Sequence, residues 1–167
     1  MEQILFNNLQ NQEVFPVIIK WKNILYYVGY YYDEKGNDKL FHSQHHIECF
    51  SSLAKLTEFC SKNSLKLDSE VVKYDFDIAP SNPIDYKDIL EKWNLLNTIS
   101  ECLNIFFEGN ERKYDKPYHY LFSCNFAVNP LPSTYRIPDN YFCMINKVFS
   151  KQGKLLNKAL HFYNESI

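Results

Sequence analysis

The stretch VVKYDFDIAPSNPIDYKDILEKWNLL, residues 71–96, decides the fold class of this chain. Its first half alternates apolar and polar side chains, as a strand with one buried face does. Its second half repeats apolar residues at helical spacing, and Asn82 and Pro83 suit the N-cap and the first helical position. A strand, a turn and an amphipathic helix in direct succession predict helices that pack against a sheet.

An aromatic hairpin precedes this stretch. Two runs rich in β-branched and aromatic residues, 15–21 and 24–32, flank the dipeptide Lys22-Asn23. This spacing is typical of two antiparallel strands joined by a two-residue turn. Both faces of the second run are apolar or aromatic, which indicates a strand that is covered on both sides.

The remaining segments complete an α+β prediction for one domain over residues 1–167. We expect a mainly antiparallel sheet of four to five strands, with two to three helices packed on one face. Residues 49–62 have helical spacing. Residues 117–128 favour a strand, and residues 139–164 favour a helix with a break at Gly153.

The composition limits the classes of function. A length of 167 residues suits one domain, and a net charge of −2 without clustered cations argues against binding to a phosphate backbone. The five cysteines form no CxxC pair and lie beside apolar residues, which predicts reduced, buried thiols. With no basic N-terminal region and no long apolar run, we expect a cytoplasmic protein without a membrane span.

An acidic group marks the same stretch that decides the fold. Between residues 68 and 91 the chain places seven acidic residues against two lysines. Asp75 and Asp77 share one face of the predicted strand, and Asp85 and Asp88 share one side of the helix. Because the connection is short, these four carboxylates are the predicted partner-binding site. Alternatively, the helical pair complements the helix dipole while the strand pair is simply solvated.

A second polar cluster, HSQHHIEC at residues 42–49, places His42, His45 and His46 near Cys49. Imidazole and thiolate groups are common zinc ligands, but structural sites usually take ligand pairs from two separate segments. No second Cys/His pair matches here. We interpret the cluster as a surface connection between a strand and a helix, with a metal site or a pH-sensitive contact as the alternative.

Known catalytic motifs do not occur in the chain. It contains no GxSxG, no HExxH and no glycine-rich phosphate loop, so we expect no enzymatic activity, no cofactor and no small-molecule substrate. Two alternatives stay open. One is a small metal-dependent hydrolase or nuclease that uses the carboxylates between Asp75 and Asp88. The other is an RNA-binding sheet on which the tyrosines of residues 26–32 stack bases.

Three segments resemble immunity proteins of bacterial contact-dependent growth inhibition systems. They are WKNILYYVGYY at 21–31, KYDFD at 73–77 and IDYKDILEKWNLLNTIS at 84–100, and the similarity spans roughly residues 14–105. The resemblance implies a cytoplasmic protein that binds the C-terminal toxin domain of a secreted effector, usually a nuclease. Such a protein occludes the toxin's active site or substrate channel and has no catalysis of its own.

The acidic group suits this implied role, because a nuclease presents a basic substrate cleft to an inhibitor. The expected partner is therefore the cognate toxin domain, and not nucleic acid or a membrane. The resemblance does not itself assign individual residues to the interface.

Overall fold

The computed structural model describes residues 11–125 and 136–164 and builds the fold around the aromatic hairpin. Within these ranges it contains seven strands and five α-helices. In chain order they are β1 (Glu13–Trp21), β2 (Ile24–Tyr32), β3 (Asp38–Leu40), β4 (Ile47–Cys49), α1 (Leu53–Lys62), β5 (Lys66–Leu67), β6 (Val72–Asp75), α2 (Tyr86–Leu103), α3 (Asp115–Asn125), α4 (Asp139–Ser150), α5 (Gln152–Ala159) and β7 (Leu160–Phe162).

The predicted hairpin is confirmed. β1 and β2 pair antiparallel up to the closing pair Trp21 and Ile24. Lys22 and Asn23 both have positive φ, +51° and +61°. Positive φ at both central residues is the conformation of a type I′ turn, which matches the right-handed twist of the strands.

The main sheet has the order β3-β2-β1, and β5 and β6 both pair with the free edge of β1. The β1–β2 and β2–β3 pairs are antiparallel and supply most of its pairing, whereas β5 and β6 run parallel to β1. β4 and β7 form a separate parallel pair. The fold is thus α+β, with a mixed and mostly antiparallel sheet, as predicted.

Both faces of the hairpin are covered. On one face, Val17, Ile19 and Val28 pack in a core that includes the buried residues of α2 to α5. On the other face, Val14 and Tyr31 pack with Phe41 and the buried residues of α1. The prediction that β2 is covered on both sides is confirmed, and the prediction that all helices lie on one face is wrong. Alternate residues of β1 and β2 point to opposite faces, and both sets are apolar.

The segment 117–128, predicted as a strand, is helical as far as the structure describes it, because residues 115–125 form α3. Pro117 and Leu121 are buried, and their spacing of four residues is the helical one. The tyrosines between them, and Phe122 after them, are typical of a strand in composition and conceal this period. Residues 126–128 of this prediction lie outside the described residues.

The ends of two helices also differ from the prediction. The N-cap of α2 is Asp85 and not Asn82, since the Asp85 side chain accepts a hydrogen bond from the Asp88 N–H. Because glycine is a common helix stop, the sequence predicts that Gly109-Asn110 ends α2, but Asn104, in the left-handed conformation, ends it earlier. α1 begins after the Ser52 N-cap, so the start of the predicted 49–62 helix belongs to β4 and the residues that follow it.

Several smaller expectations meet mixed outcomes. The alternating pattern of residues 71–78 predicts that Ile78 points inward, but this side chain is 63% exposed because β6 ends at Asp75. All five cysteines are free thiols; Cys49 and Cys60 are buried, whereas Cys143 is exposed, so the prediction that every thiol is buried is wrong. In the described part of the chain, no helix combines the length and the apolar character that crossing a bilayer requires.

A buried carboxylate joins the end of α2 to the C-terminal helices. The Glu108 side chain, 9% exposed, accepts a hydrogen bond from the Tyr114 hydroxyl at 2.9 Å. The same oxygen, Oε1, lies 3.4 Å from Nζ of Lys113, and the other oxygen, Oε2, lies 3.0 Å from Nζ of Lys151. The hydrogen bond from Lys151, followed by that from Tyr114, lowers the pKa of Glu108 to about 2.

We expect Glu108→Gln to destabilise the protein near neutral pH and to reduce its acid sensitivity. A carboxyl whose pKa is about 2 when folded, against roughly 4.3 when unfolded, stabilises the fold above pH ~5 and loses this contribution as the pH falls towards 2. Denaturant unfolding between pH 7 and 2 measures the effect, with the exposed Glu34→Gln as the charge-matched control. A difference in stability from the wild type that stays constant across this range contradicts the assignment.

Gly29 is required by its contact with an aromatic ring. A Cβ at this position would lie 2.4 Å from Cε2 of Phe41. Because both groups are buried between β2 and α1, we expect Gly29→Ala to lower the free energy of unfolding by about 1–3 kcal/mol. In a double-mutant cycle with Phe41→Leu, measured by urea denaturation, the two costs should be less than additive. Strict additivity would show that the ring is not the obstacle.

Candidate functional site

Asp75 and Asp77 both contact the β1–β2 hairpin. The Asp75 carboxylate lies 3.2 Å from Nζ of Lys20 and accepts a hydrogen bond from the Asp77 N–H. The Asp77 carboxylate accepts hydrogen bonds from the N–H groups of Lys22 and Asn23, at 2.7 and 2.9 Å. Asp77 thus fastens the turn of the hairpin to the end of β6.

The charge of Asp75 is retained by these contacts. Partial burial alone would raise the pKa of Asp75, but the hydrogen bonds from Lys20 and from the Asp77 N–H outweigh it and lower that pKa. Asp75 is therefore an ion-pair partner of Lys20 in the sheet and not simply a solvated carboxylate.

Asp85 and Asp88 also have local partners. Asp85 caps α2, and Asp88 forms an ion pair of 2.7 Å with Lys92, whose side chain is 3% exposed. The ammonium of Lys92 lies 5.9 Å from the centre of the Phe76 ring. A buried ammonium requires such a partner, so Asp88 stabilises α2 at its first turn.

The four predicted carboxylates do not form one cluster. Tyr74 points towards the core that contains α2. Its pKa is raised mainly by burial, and the nearby Glu91 and Asp88 raise it further. Asp75, the next residue of β6, points to the opposite face, where Lys20 lies. In residues 11–125 and 136–164, no three of these carboxylates come within the 4.8 Å spacing of a shared metal ion.

A groove beside this region has the features of a binding site that the sequence reasoning did not identify. It has a volume of about 340 Å³ and lies between α2 and the sheet. We call it the tyrosine groove. Its lining residues are Phe15, Val17, Tyr30, Tyr32, Asp38, Val72, Tyr74, Glu91, Asn94, Leu95 and Thr98.

The tyrosine groove is aromatic inside and acidic at its polar positions. Tyr32 and Val72 are 48% and 39% exposed, so the groove is open to a partner. Asp38 and Glu91 carry its charges, and none of its described lining residues is a lysine or an arginine. Tyr30 donates a hydrogen bond to Asp38.

The hydroxyl groups of Tyr30 and Tyr74 remain protonated at neutral pH. Burial, followed by the hydrogen bond to Asp38, raises the pKa of Tyr30. Burial raises the pKa of Tyr74 to about 12, with further contributions from Glu91 and Asp88. The groove therefore offers neutral aromatic rings beside carboxylates, an arrangement suited to a cation.

The period-two placement of aromatic residues on the hairpin is the sequence signal that could have revealed this groove. Tyr30 and Tyr32 of β2 share a face, and Phe15 of β1 is paired with Tyr30. Their rings pack against one another at centroid distances of 5.5–6.3 Å. The closing wall from α2 depends on tertiary packing, which the sequence does not display.

The histidines of residues 42–49 have different surroundings, although the rings of His45 and His46 lie edge to face at 6.4 Å. His42 is half-buried, and burial lowers its pKa. His45 is exposed. His46 stacks on His161 of β7, with ring centroids 4.7 Å apart, close to Glu48 of β4.

Comparisons with known proteins add information on the fold. No family model matches the sequence, and no curated protein matches it. Among solved structures, the crystal structure of the SatS C-terminal domain in complex with bromine is similar, with a TM-score of 0.56 and 13% sequence identity. The match covers 90% of this chain and 94% of that chain, and it shows a shared fold.

We expect Asp77→Asn to destabilise the hairpin turn. The amide replaces a carboxylate that accepts two backbone hydrogen bonds, and one of its two polar groups is a donor, so at least one bond is lost. The expected cost is about 1–2 kcal/mol in thermal or urea denaturation. Glu70→Gln, an exposed substitution with the same change in charge, is the control. Equal stability of the two variants would contradict the role of Asp77.

Proposed function

We propose that this chain is a cytoplasmic immunity protein that binds the C-terminal toxin domain of a contact-dependent growth inhibition effector and occludes its active site. The sequence resemblance of the hairpin, β6 and α2 motivates the proposal. The tyrosine groove is the observation that supports it in the structure, because these same elements line it.

The chemistry of the groove favours a basic side chain of the partner as its occupant. Tyr32 and Tyr74 offer ring faces to an ammonium or guanidinium group, and Glu91 and Asp38 offer carboxylates. A toxin that cuts nucleic acid needs lysine or arginine residues where the phosphates bind. An inhibitor that engages one of these residues competes directly with the substrate.

The acidic residues around the groove contribute at longer range. Asp75, Asp77, Asp85 and Asp88 lie on the two sides of β6 and at the start of α2, and each carries a negative charge near the surface. Their combined field attracts a basic cleft and speeds association, even where individual charges have local partners. We assign the close contact to the groove and the steering to this wider region.

The two alternative functions receive less support. A metal-dependent hydrolase would require converging carboxylates, and β6 separates the strand pair from the helical pair. An RNA-binding sheet would require exposed tyrosines in a positive field. Tyr31 is buried, and the exposed Tyr32 lies in a groove whose charged lining residues are acidic.

The direct test is co-expression with the effector C-terminal domain that is encoded next to this chain. We expect restored growth of cells that produce the toxin domain, and a one-to-one complex on size-exclusion chromatography. The toxin's nuclease activity should fall in proportion to the amount of complex. Failure of both rescue and complex formation would overturn the proposal.

Substitutions in the groove test the contact itself. We expect Glu91→Gln and Tyr32→Ala each to weaken binding to the toxin domain by about tenfold or more, as loss of a central contact does. The first should mainly slow association at low salt, and the second should mainly speed dissociation. Surface plasmon resonance measures both.

Matched controls separate a local contact from a general effect. Glu58→Gln on α1 removes the same charge on the opposite side of the sheet, and Phe106→Ala removes an exposed ring outside the groove. Both controls should bind the toxin domain like the wild type. Binding that is unchanged in the groove variants, with rescue intact, would move the interface elsewhere and leave the immunity function standing.

A further inference from the structure

We propose that His46, Glu48 and His161 bind a divalent transition-metal ion of the zinc class. One ligand atom from each residue lies within 4.8 Å of the other two, and they are the one such group of three in the described part of the chain. The site is independent of the tyrosine groove and of the proposed function.

Strand pairing assembles the three residues. β4 and β7 run parallel, and Glu48 is directly paired with His161. His46 precedes Glu48 by two residues, so its side chain lies on the same side of the extended chain. The backbone of His46 is held by two hydrogen bonds with Ser43, at 2.9 and 3.2 Å. Two separate segments of the chain thus supply the ligands, as metal sites usually require.

The burial of Glu48 is an independent argument for a bound cation. Its residue is 3% exposed, yet its carboxylate lies 3.9 Å from Nδ1 of His161, which exceeds hydrogen-bonding distance. The other buried charged residues, Lys92 and Glu108, have partners at 2.7–3.0 Å. A buried carboxylate needs a close positive partner, and a divalent cation between Glu48 and the two imidazoles supplies one.

The donor set identifies the class of metal. Two imidazoles and one carboxylate are ligands of zinc and its neighbours, whereas magnesium and calcium prefer oxygen ligands alone. A tetrahedral zinc ion with bonds of about 2.0–2.1 Å holds its ligand atoms roughly 3.4 Å apart. The distances between the ligand atoms, at most 4.8 Å, therefore need to shorten by about 1.4 Å or less when the ion binds. The His161 side chain is 49% exposed and has room to rotate.

The ion would have a structural consequence and an open position. Bound between His46 and His161, it would link the 43–46 loop to the C-terminal strand β7. Three protein ligands leave a fourth position for water or for a donor atom of another molecule. The half-exposed His161 places that position towards solvent.

The test uses the full chain without an affinity tag and isothermal titration with ZnCl₂. We expect one equivalent to bind, and we expect His161→Gln to weaken the affinity by about 100-fold or more, since even outer partners of a metal site cost 10–100-fold. Zinc should raise the Tm of the wild type but not that of the variant. His119→Gln, which removes an exposed histidine of α3 outside the cluster, should bind zinc like the wild type.

Substitution with Co²⁺ distinguishes this site from binding at a thiol. The absorption spectrum should show tetrahedral ligand-field bands without a thiolate charge-transfer band, which excludes the exposed Cys143 as a ligand. Glu48→Gln, checked for folding by circular dichroism, should lose these bands. His161→Gln with unchanged zinc affinity, or a cobalt spectrum that is dominated by thiolate, would overturn the proposal.

Discussion

The whole architecture depends on β1, whose two edges are both paired and whose two faces are both covered. One edge pairs with β2, and the other edge carries β5 and then β6. Val17 and Ile19 enter one core, and Val14 enters the other. Because β2, β5 and β6 pair with this strand and α2 shares a core with it, β1 positions both walls of the tyrosine groove. A hairpin alone would be only marginally stable in water, so β1 needs these later elements as much as they need it.

The features that were predicted correctly depend on residues that are close together in the sequence. The turn at Lys22-Asn23 and the buried stripe of α2 follow from backbone preference and burial period, and the structure contains both. The missed features are tertiary. Aromatic residues concealed the helical period of α3. The placement of α1 depends on which helices pack on each face of the hairpin, and the sequence does not display this choice.

In the candidate sites, too, the residues were visible in the sequence but their tertiary partners were not. The acidic residues of β6 and α2 were visible in the sequence, but their partners Lys20 and Lys92 were not, because pairing depends on register and burial. Likewise, His46 and Glu48 were visible as neighbours in a polar cluster. His161 is a single histidine near the C-terminus, and only the parallel pairing of β4 with β7 brings it beside them.

These pairings decide where negative charge remains available to a partner. Lys20 offsets Asp75 and also lies 4.0 Å from Asp77, while Lys92 offsets Asp88. Asp85 faces the positive end of the α2 dipole. Glu91 lines the open groove beside Tyr74 instead. An ion pair that is already formed must be broken or shared before it can bind a new cation, whereas a carboxylate beside aromatic rings accepts one directly. Among these acidic residues, Glu91 is therefore the one best placed to receive a cation, on the α2 side of β6 and one helical turn beyond Asp88.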